Sequence, residues 1–185
     1  AFIKENKFPS SLKAAEVIPV YKKDDRLEPT NYRPISITPV LSKVFERILL
    51  NQINEYLSKN SIMSNIQFGF RKKFSTNDAL LYITETFRKE LDAGNMTAVA
   101  FLDLSKAFDS IDHTILRKKL TTLGFGEESL NLIDSFLHNR KQRVRLGETL
   151  SEWYEIKQGV PQGTILGPLL FTLYLNDMHS TVCLL

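Results

Sequence analysis

The sequence predicts an α+β fold, on three observations. Apolar residues recur at helical spacing in several long stretches. Shorter runs of β-branched and aromatic residues are broken by turn residues. The two kinds of segment alternate irregularly, with no strict βαβ repeat.

The elements follow in chain order. VIPVY (residues 17–21) reads as a short strand, and Pro19 within it predicts an edge or irregular position. DDRLEPTNYRP (24–34) reads as a polar loop. From Leu41 the pattern is helical: Leu41, Val44, Phe45, Ile48, Ile53, Tyr56 and Leu57 stripe one face. Ser75 followed by Asp78 is a helix start with an acid three residues after the cap. Leu80, Ile83, Phe87 and Leu91 would be the buried face of that helix, and Gly94 its end.

Thr97 to Leu102 reads as a strand. Asp109-Ser-Ile-Asp112 has capping character, and a helix follows to about Leu123, ended by Gly124 and Gly126. Glu127 to Asn139 is a further helix with Leu130, Ile133 and Leu137 inward. Arg143–Leu146 and Trp153–Ile156 read as strands around a turn at Gly147. A glycine- and proline-rich junction, GVPQGTILGP, then leads into the apolar LLFTLYL, with Pro168 in the first helical turn.

Length and composition narrow the class. The 185 residues suffice for one domain or two small lobes sharing a core. A content of 43% hydrophobic and 24% charged residues is that of a globular chain. No apolar run approaches the ~20 residues of a membrane span, so no membrane partner is expected. The lysine-bearing start AFIKENKFPSSLK is no signal peptide, and the missing initiator methionine suggests a fragment. The single cysteine, Cys183, leaves no internal disulfide and no cysteine metal cluster, which is compatible with a reducing intracellular setting. Three histidines and the lack of a P-loop or a GxSxG motif argue against unrelated hydrolases. The net charge of +3 says little. Its distribution says more: Arg140, Lys141, Arg143 and Arg145 cluster, as do Arg71, Lys72 and Lys73, and Lys22 with Lys23. Such clusters suit a polyanion, and equally a solvated surface.

Three stretches carry chemistry. In AVAFLDLSKAFDSIDH (Ala98 to His113) an apolar strand runs into Asp103. A carboxylate at a strand end is held firmly and can reach into a cleft, and a divalent cation would offset its desolvation. Two-metal phosphoryl chemistry needs further carboxylates. Asp112 reads as a helix cap, and Asp109 as either a cap or a structural carboxylate. In the second stretch, GVPQGTILGPLLFTLYLND, Gly159 and Gly163 permit close backbone approach. Gln162 places a donor-and-acceptor amide on a stiff turn, suited to a base or a sugar. In the third, KKDDRLEPTNYRPISITPVLSK, the cations Lys22, Lys23 and Arg33 suit a triphosphate.

Four motifs in order, NYRPISITPVLSKVFERIL, QFGFRKKFSTNDAL, FLDLSKAFDSIDH and GVPQGTILGPLLFTLYLND, give a specific resemblance. The chain resembles the reverse transcriptase domain of non-LTR, LINE-type retrotransposons of the jockey-like kind. The resemblance implies the fingers and partial palm of a right-hand polymerase, with 1–95 fingers-like and 96–185 palm. It implies RNA-directed DNA polymerisation with an RNA template, a DNA primer and deoxynucleoside triphosphates, in the nucleus or cytoplasm. It also implies two magnesium ions, with manganese as a substitute. On this resemblance Asp103 and the carbonyl of Leu104 bind metal, and Asp103 is catalytic. Phe108 is a steric gate beneath the sugar. Lys22, Lys23 and Arg33 hold the triphosphate, and Gln162 and Gly163 lie beside the nascent base pair. Arg71 faces the template; by their clustering rather than by the resemblance, Arg140, Lys141 and Arg143 are expected as further nucleic-acid contacts. The family's Phe- or Tyr-Ala-Asp-Asp motif, which supplies the second aspartate, does not occur in the chain. The expectation is therefore a domain truncated before that motif and inactive by itself. The alternative is a dead or domesticated remnant acting as a nucleic-acid-binding or structural module.

Overall fold

The computed structural model describes residues 5–178. A helical core stands against a small sheet. Helices α1 (Val40–Lys59), α3 (His113–Thr122), α4 (Glu127–Leu137) and α5 (Gly167–Leu175) supply most of the core. Leu116, Phe136 and Leu170 are completely buried within it. Loop residues Ile111, Val160 and Leu166 fill the gaps between the helices, and Phe8 packs edge-on against Phe136. α2 (Thr76–Asp92) buries no residue.

The sheet runs β2–β1–β3. β1 (Ala14–Tyr21) pairs antiparallel with β2 (Tyr32–Ile37) and parallel with β3 (Arg140–Leu146). β4 (Thr149–Leu150) and β5 (Tyr154–Ile156) both fold back antiparallel on β3. β1 is longer than the sequence suggests, because its first half gains a second neighbour. Ala14–Val17 lie beside β3, whereas Pro19, opposite Pro34, has only β2 beside it. The missing proline N–H therefore falls on the single-neighbour part of the strand. The expected loop over 24–34 is shorter than predicted, since β2 opens at Tyr32. Two aromatic side chains fasten the hairpin tip: the Tyr21 hydroxyl donates to the Asp24 carbonyl (2.6 Å) and the Tyr32 hydroxyl to that of Arg26 (2.8 Å).

Local signals placed the helix ends well. Ser75 and Asp78 form the reciprocal capping box at α2, and Gly94 follows it at φ 78°. The Asp112 carboxylate accepts the Ile115 N–H (2.9 Å) to start α3, and Gly124 stops it at φ 83°. Pro168 sits in the first turn of α5, and Gly147 turns β3 into β4 at φ 59°.

Three expectations need correction. Thr97 to Leu102 is not a strand. Residues 95–104 have no regular structure, and Phe101 is 87% exposed. A strand exists only where neighbouring backbone closes its ladder, and none of the described strands pairs with this segment. The apolar face expected on α2 is likewise uncovered: Leu80 and Leu91 are exposed, while Ile83 and Phe87 are half-buried. On α1 the buried line is Ser42, Glu46, Leu49 and Leu57, and the predicted Leu41, Val44 and Ile48 face solvent.

Candidate functional site

The site is built where three distant loops meet. Residues 105–110 make consecutive turns, with Lys106 at φ 51° and its carbonyl accepting the N–H groups of Asp109 (2.9 Å) and Ser110 (3.1 Å). The turns present two carbonyls to the glycine-rich junction. The Val160 N–H donates to Phe108 O and the Gly159 N–H to Ile111 O, both at 2.8 Å. The ring of the buried His113 hydrogen-bonds the Gly159 carbonyl through Nε2 at 2.7 Å. Gly159 is required here. At φ 82°, a β-carbon on it would lie 2.8 Å from Asp109 Cα and its carbonyl oxygen.

Beyond this lock the junction turns to β2. The Ser36 N–H donates to the Gln162 carbonyl (2.8 Å), and Gly163, at φ 99°, rests against the Ser36 carbonyl. The Gln162 amide donates to both carboxylate oxygens of Asp109 (3.2 and 3.3 Å). Asp109 is thus an exposed carboxylate paired with Gln162, while Asp112 is the helix cap. The Ile115 N–H and lesser local hydrogen bonds hold the Asp112 carboxyl below its usual range.

Sequence reasoning missed the buried acid behind the loop. Glu46 on α1 is fully buried. Its Oε2 accepts the N–H groups of Ile165 (2.6 Å) and Leu166 (3.2 Å), and Oε1 accepts the Ser42 hydroxyl (2.9 Å). The available signal was Ser42, Glu46 and Leu49 at helical spacing, two polar side chains on one line with core leucine. Arg140 is also buried, 1% exposed, with Nη1 donating to the Phe136 carbonyl (3.0 Å). Burial lowers its pKa to about 10, and the nearby Glu46 charge opposes that shift. Arg140 therefore departs from the expected basic surface, because its side chain turns under the sheet.

The other predicted residues sort as follows. Phe108 is half-buried and stacks on Phe171 (centroids 4.8 Å apart), with the Phe70 ring edge-on at 5.8 Å. Lys22 and Lys23 lie at the exposed end of β1, and Arg33, also exposed, is beside them on β2 opposite Val20. Arg71 is committed to its own loop. Its guanidinium donates to the carbonyls of Ser64 and Gln67 and lies 4.3 Å from the Phe74 ring centroid. Lys141 is exposed. Arg143 bonds the Glu16 carboxylate together with Arg145 and covers the Trp153 ring at 4.6 Å. These arginine hydrogen bonds, Arg143's first, depress the Glu16 carboxyl. An open cleft of ≈ 1350 Å³ runs beside the site, lined by Arg47, Asn51, Asn54, Phe70, Lys72 and Lys73 among others.

Asp103 and Leu104 stand apart from this assembly, exposed on the irregular segment. Among the described residues Asp103 makes no hydrogen bond or ion pair, and no three His, Cys, Asp or Glu side chains gather as a metal site. One carboxylate and a carbonyl do not make a site for two divalent ions, which needs several oxygen ligands per ion. The stretch at Cys183 to Leu185 lies outside the described residues. No helix among the described residues is long and apolar enough to cross a membrane.

Comparison with known proteins gives these segments a common context. The family described as "Reverse transcriptase (RNA-dependent DNA polymerase)" matches residues 20–183. The chain is 34% identical over 180 residues to "Probable RNA-directed DNA polymerase from transposon X-element" of Drosophila melanogaster, covering 96% of this chain and 20% of that protein. It is 32% identical over 179 residues to "Probable RNA-directed DNA polymerase from transposon BS" of the same fly, with the same coverage of each. With the "RNA-directed DNA polymerase from mobile element jockey", also from Drosophila melanogaster, identity is 31% over 94% of this chain and 19% of that protein. The chain thus spans about a fifth of the length of these relatives.

Proposed function

The chain belongs to the reverse transcriptase (RNA-dependent DNA polymerase) family, and from that premise we propose that it serves template-directed DNA synthesis in a non-LTR retrotransposon polymerase. Members of the family bind a nucleic-acid template and nucleotides and use divalent metal ions. The reaction proposed is attack of a primer 3′-hydroxyl on the α-phosphate of a deoxynucleotide, with pyrophosphate leaving.

One observation supports this reading above the rest. Segments some 50 and 125 residues apart meet through backbone hydrogen bonds, Phe108 and Ile111 with Gly159–Val160, and Ser36 with Gln162. Such a lock holds side chains from all three segments without depending on any long, mobile side chain. Positioning is most of what phosphoryl transfer asks of a protein.

The roles proposed for the chain's residues follow from their places. Gln162 and Gly163, fixed between β2 and Asp109, would flank the nascent base pair. The Phe108 ring, backed by Phe171, would lie beneath the sugar and exclude a 2′-hydroxyl. Lys22, Lys23 and Arg33 would meet the triphosphate as exposed cations. Lys141 and Arg143 would add sequence-independent attraction to the nucleic-acid backbone, and Arg71 would shape the loop facing the template. Arg140 would act from beneath, as support for the sheet. Bound magnesium would stabilise charge on the transferring phosphoryl group. Asp103 with the Leu104 carbonyl would supply part of its ligand set.

The test is primer extension on an RNA template by a retrotransposon polymerase carrying this chain. Asp103→Ala should abolish extension while primer–template binding persists. Undiminished extension by that variant would refute the assignment.

A further inference from the structure

We infer that Glu46 is a positioning residue for the Gln162–Gly163 loop: its carboxylate, delivered from α1, fixes the downstream end of the loop and so sets where Gln162 and Gly163 meet the nucleotide. This rests on the polymerase reading above and deepens it.

The first N–H groups of a helix have no partner within the helix, and most helices satisfy them with a side chain at the cap. At α5 the cap position is Leu166, which offers none. Thr164 accepts the Gly167 N–H through its hydroxyl (3.2 Å) and donates to the Pro161 carbonyl (2.8 Å). The N–H groups just ahead of the first turn, those of Ile165 and the cap residue Leu166, are taken by Glu46 from 119 and 120 residues away. Local capping would have left the loop free to move with α5. A carboxylate from α1 instead anchors it to a different helix.

The anchor is stiff at both ends. Glu46 is held by the Ser42 hydroxyl on its own helix. Between Glu46's contact at Ile165 and Gln162 lie only Thr164, buried and bonded through its side chain, and Gly163, pressed against Ser36. Little freedom remains to absorb a shift. Burying a carboxylate is costly, and a side chain at the buried cap position, Leu166, would reach N–H groups further into α5 rather than those of Ile165 and Leu166. What the buried acid adds is the connection between α1, β2 through Ser36, and the junction.

Two conservative variants separate reach from charge. Glu46→Gln keeps an oxygen at the same distance for both amides, and its NH₂ can donate to the Ser42 hydroxyl. Glu46→Asp keeps the charge but withdraws it by one methylene. In the polymerase carrying this chain, Glu46→Asp should raise KM for deoxynucleotide about tenfold, equivalent to about 1.4 kcal/mol. Primer–template affinity should be unchanged, and Glu46→Gln should stay within about threefold of the parent, since a neutral acceptor preserves the hydrogen bonds. Amide exchange should show Ile165 and Leu166 losing protection in Glu46→Asp and keeping it in Glu46→Gln. The inference is overturned if Glu46→Asp matches the parent while Glu46→Gln fails. It is equally overturned if Glu46→Asp loses activity only in proportion to its folded fraction, with KM unaltered. Asp103→Ala serves as the separate control. Were that variant active, the polymerase reading would fall and the nucleotide role of Glu46 with it, whereas an inactive control with unaltered KM in Glu46→Asp would refute the role of Glu46 alone.

Discussion

Gly159→Ala should destabilise the protein well beyond what its backbone angle alone explains. Gly159 lies at φ 82°, and Gly147, in the β3–β4 turn, lies at φ 59°. Either position penalises an L-residue by ~1–2 kcal/mol through crowding of Cβ against the backbone. Their surroundings differ. A β-carbon at Gly147 meets nothing within 4 Å, while one at Gly159 meets the Asp109 backbone at 2.8 Å. Backbone cannot swing aside as a side-chain tip can, so the overlap must be relieved by moving the two loops apart. That strains the hydrogen bonds from Gly159 to Ile111 and from Val160 to Phe108. Forced overpacking of this kind costs ~1–3 kcal/mol. Gly159→Ala should thus cost ~2–5 kcal/mol in all, against a typical net stability of ~5–15 kcal/mol. Urea unfolding of the two alanine variants beside the parent gives the difference directly, provided the denaturant slopes agree. An excess of ~1–3 kcal/mol for Gly159→Ala supports the interlocked loops. Equal destabilisation of the two variants would refute the close approach, and with it the geometry from which the site is built.

Three further outcomes are expected. Phe108→Ala, in the polymerase carrying this chain, should raise ribonucleotide use relative to deoxynucleotide use. The ratio of the two specificity constants is the quantity to measure, and an unchanged ratio would leave Phe108 as a packing partner of Phe171. Limited chymotryptic digestion of the chain should cut at Phe101 before Phe125 or Phe136, because the first is 87% exposed on an irregular segment and the others are buried; early cleavage at Phe136 would contradict the core. The Asp112 carboxyl is held below its ordinary range by the α3 N–H groups, so its contribution is present above the unfolded value of ~3.9 and is lost as pH falls through the lower folded value. The stability advantage of the parent over Asp112→Ala should accordingly shrink on acidification from pH 6 to pH 2; an advantage constant with pH would remove the charge from the cap.

What the sequence determined by itself were the features whose causes lie within a few residues. Ser75 with Asp78, Asp112 with Ile115, Pro168 at a helix start and Gly94, Gly124 and Gly147 at turns are local arrangements, and each is where it was expected. The ordered motifs fixed the family for the same reason: they are read along the chain. The tertiary structure decided everything that depends on a distant partner. It drew Arg140 beneath the sheet while Lys141 stayed outside, although the two are adjacent in one basic run. It turned α1 so that Glu46 rather than Val44 faced inward, where its carboxylate meets the amides of Ile165 and Leu166. It also left residues 97–102 without the ladder their composition invites. β-branched residues state a preference for pairing, but hydrogen bonds from another strand make the pairing real, and a burial pattern read from one segment cannot say which surface arrives to cover it.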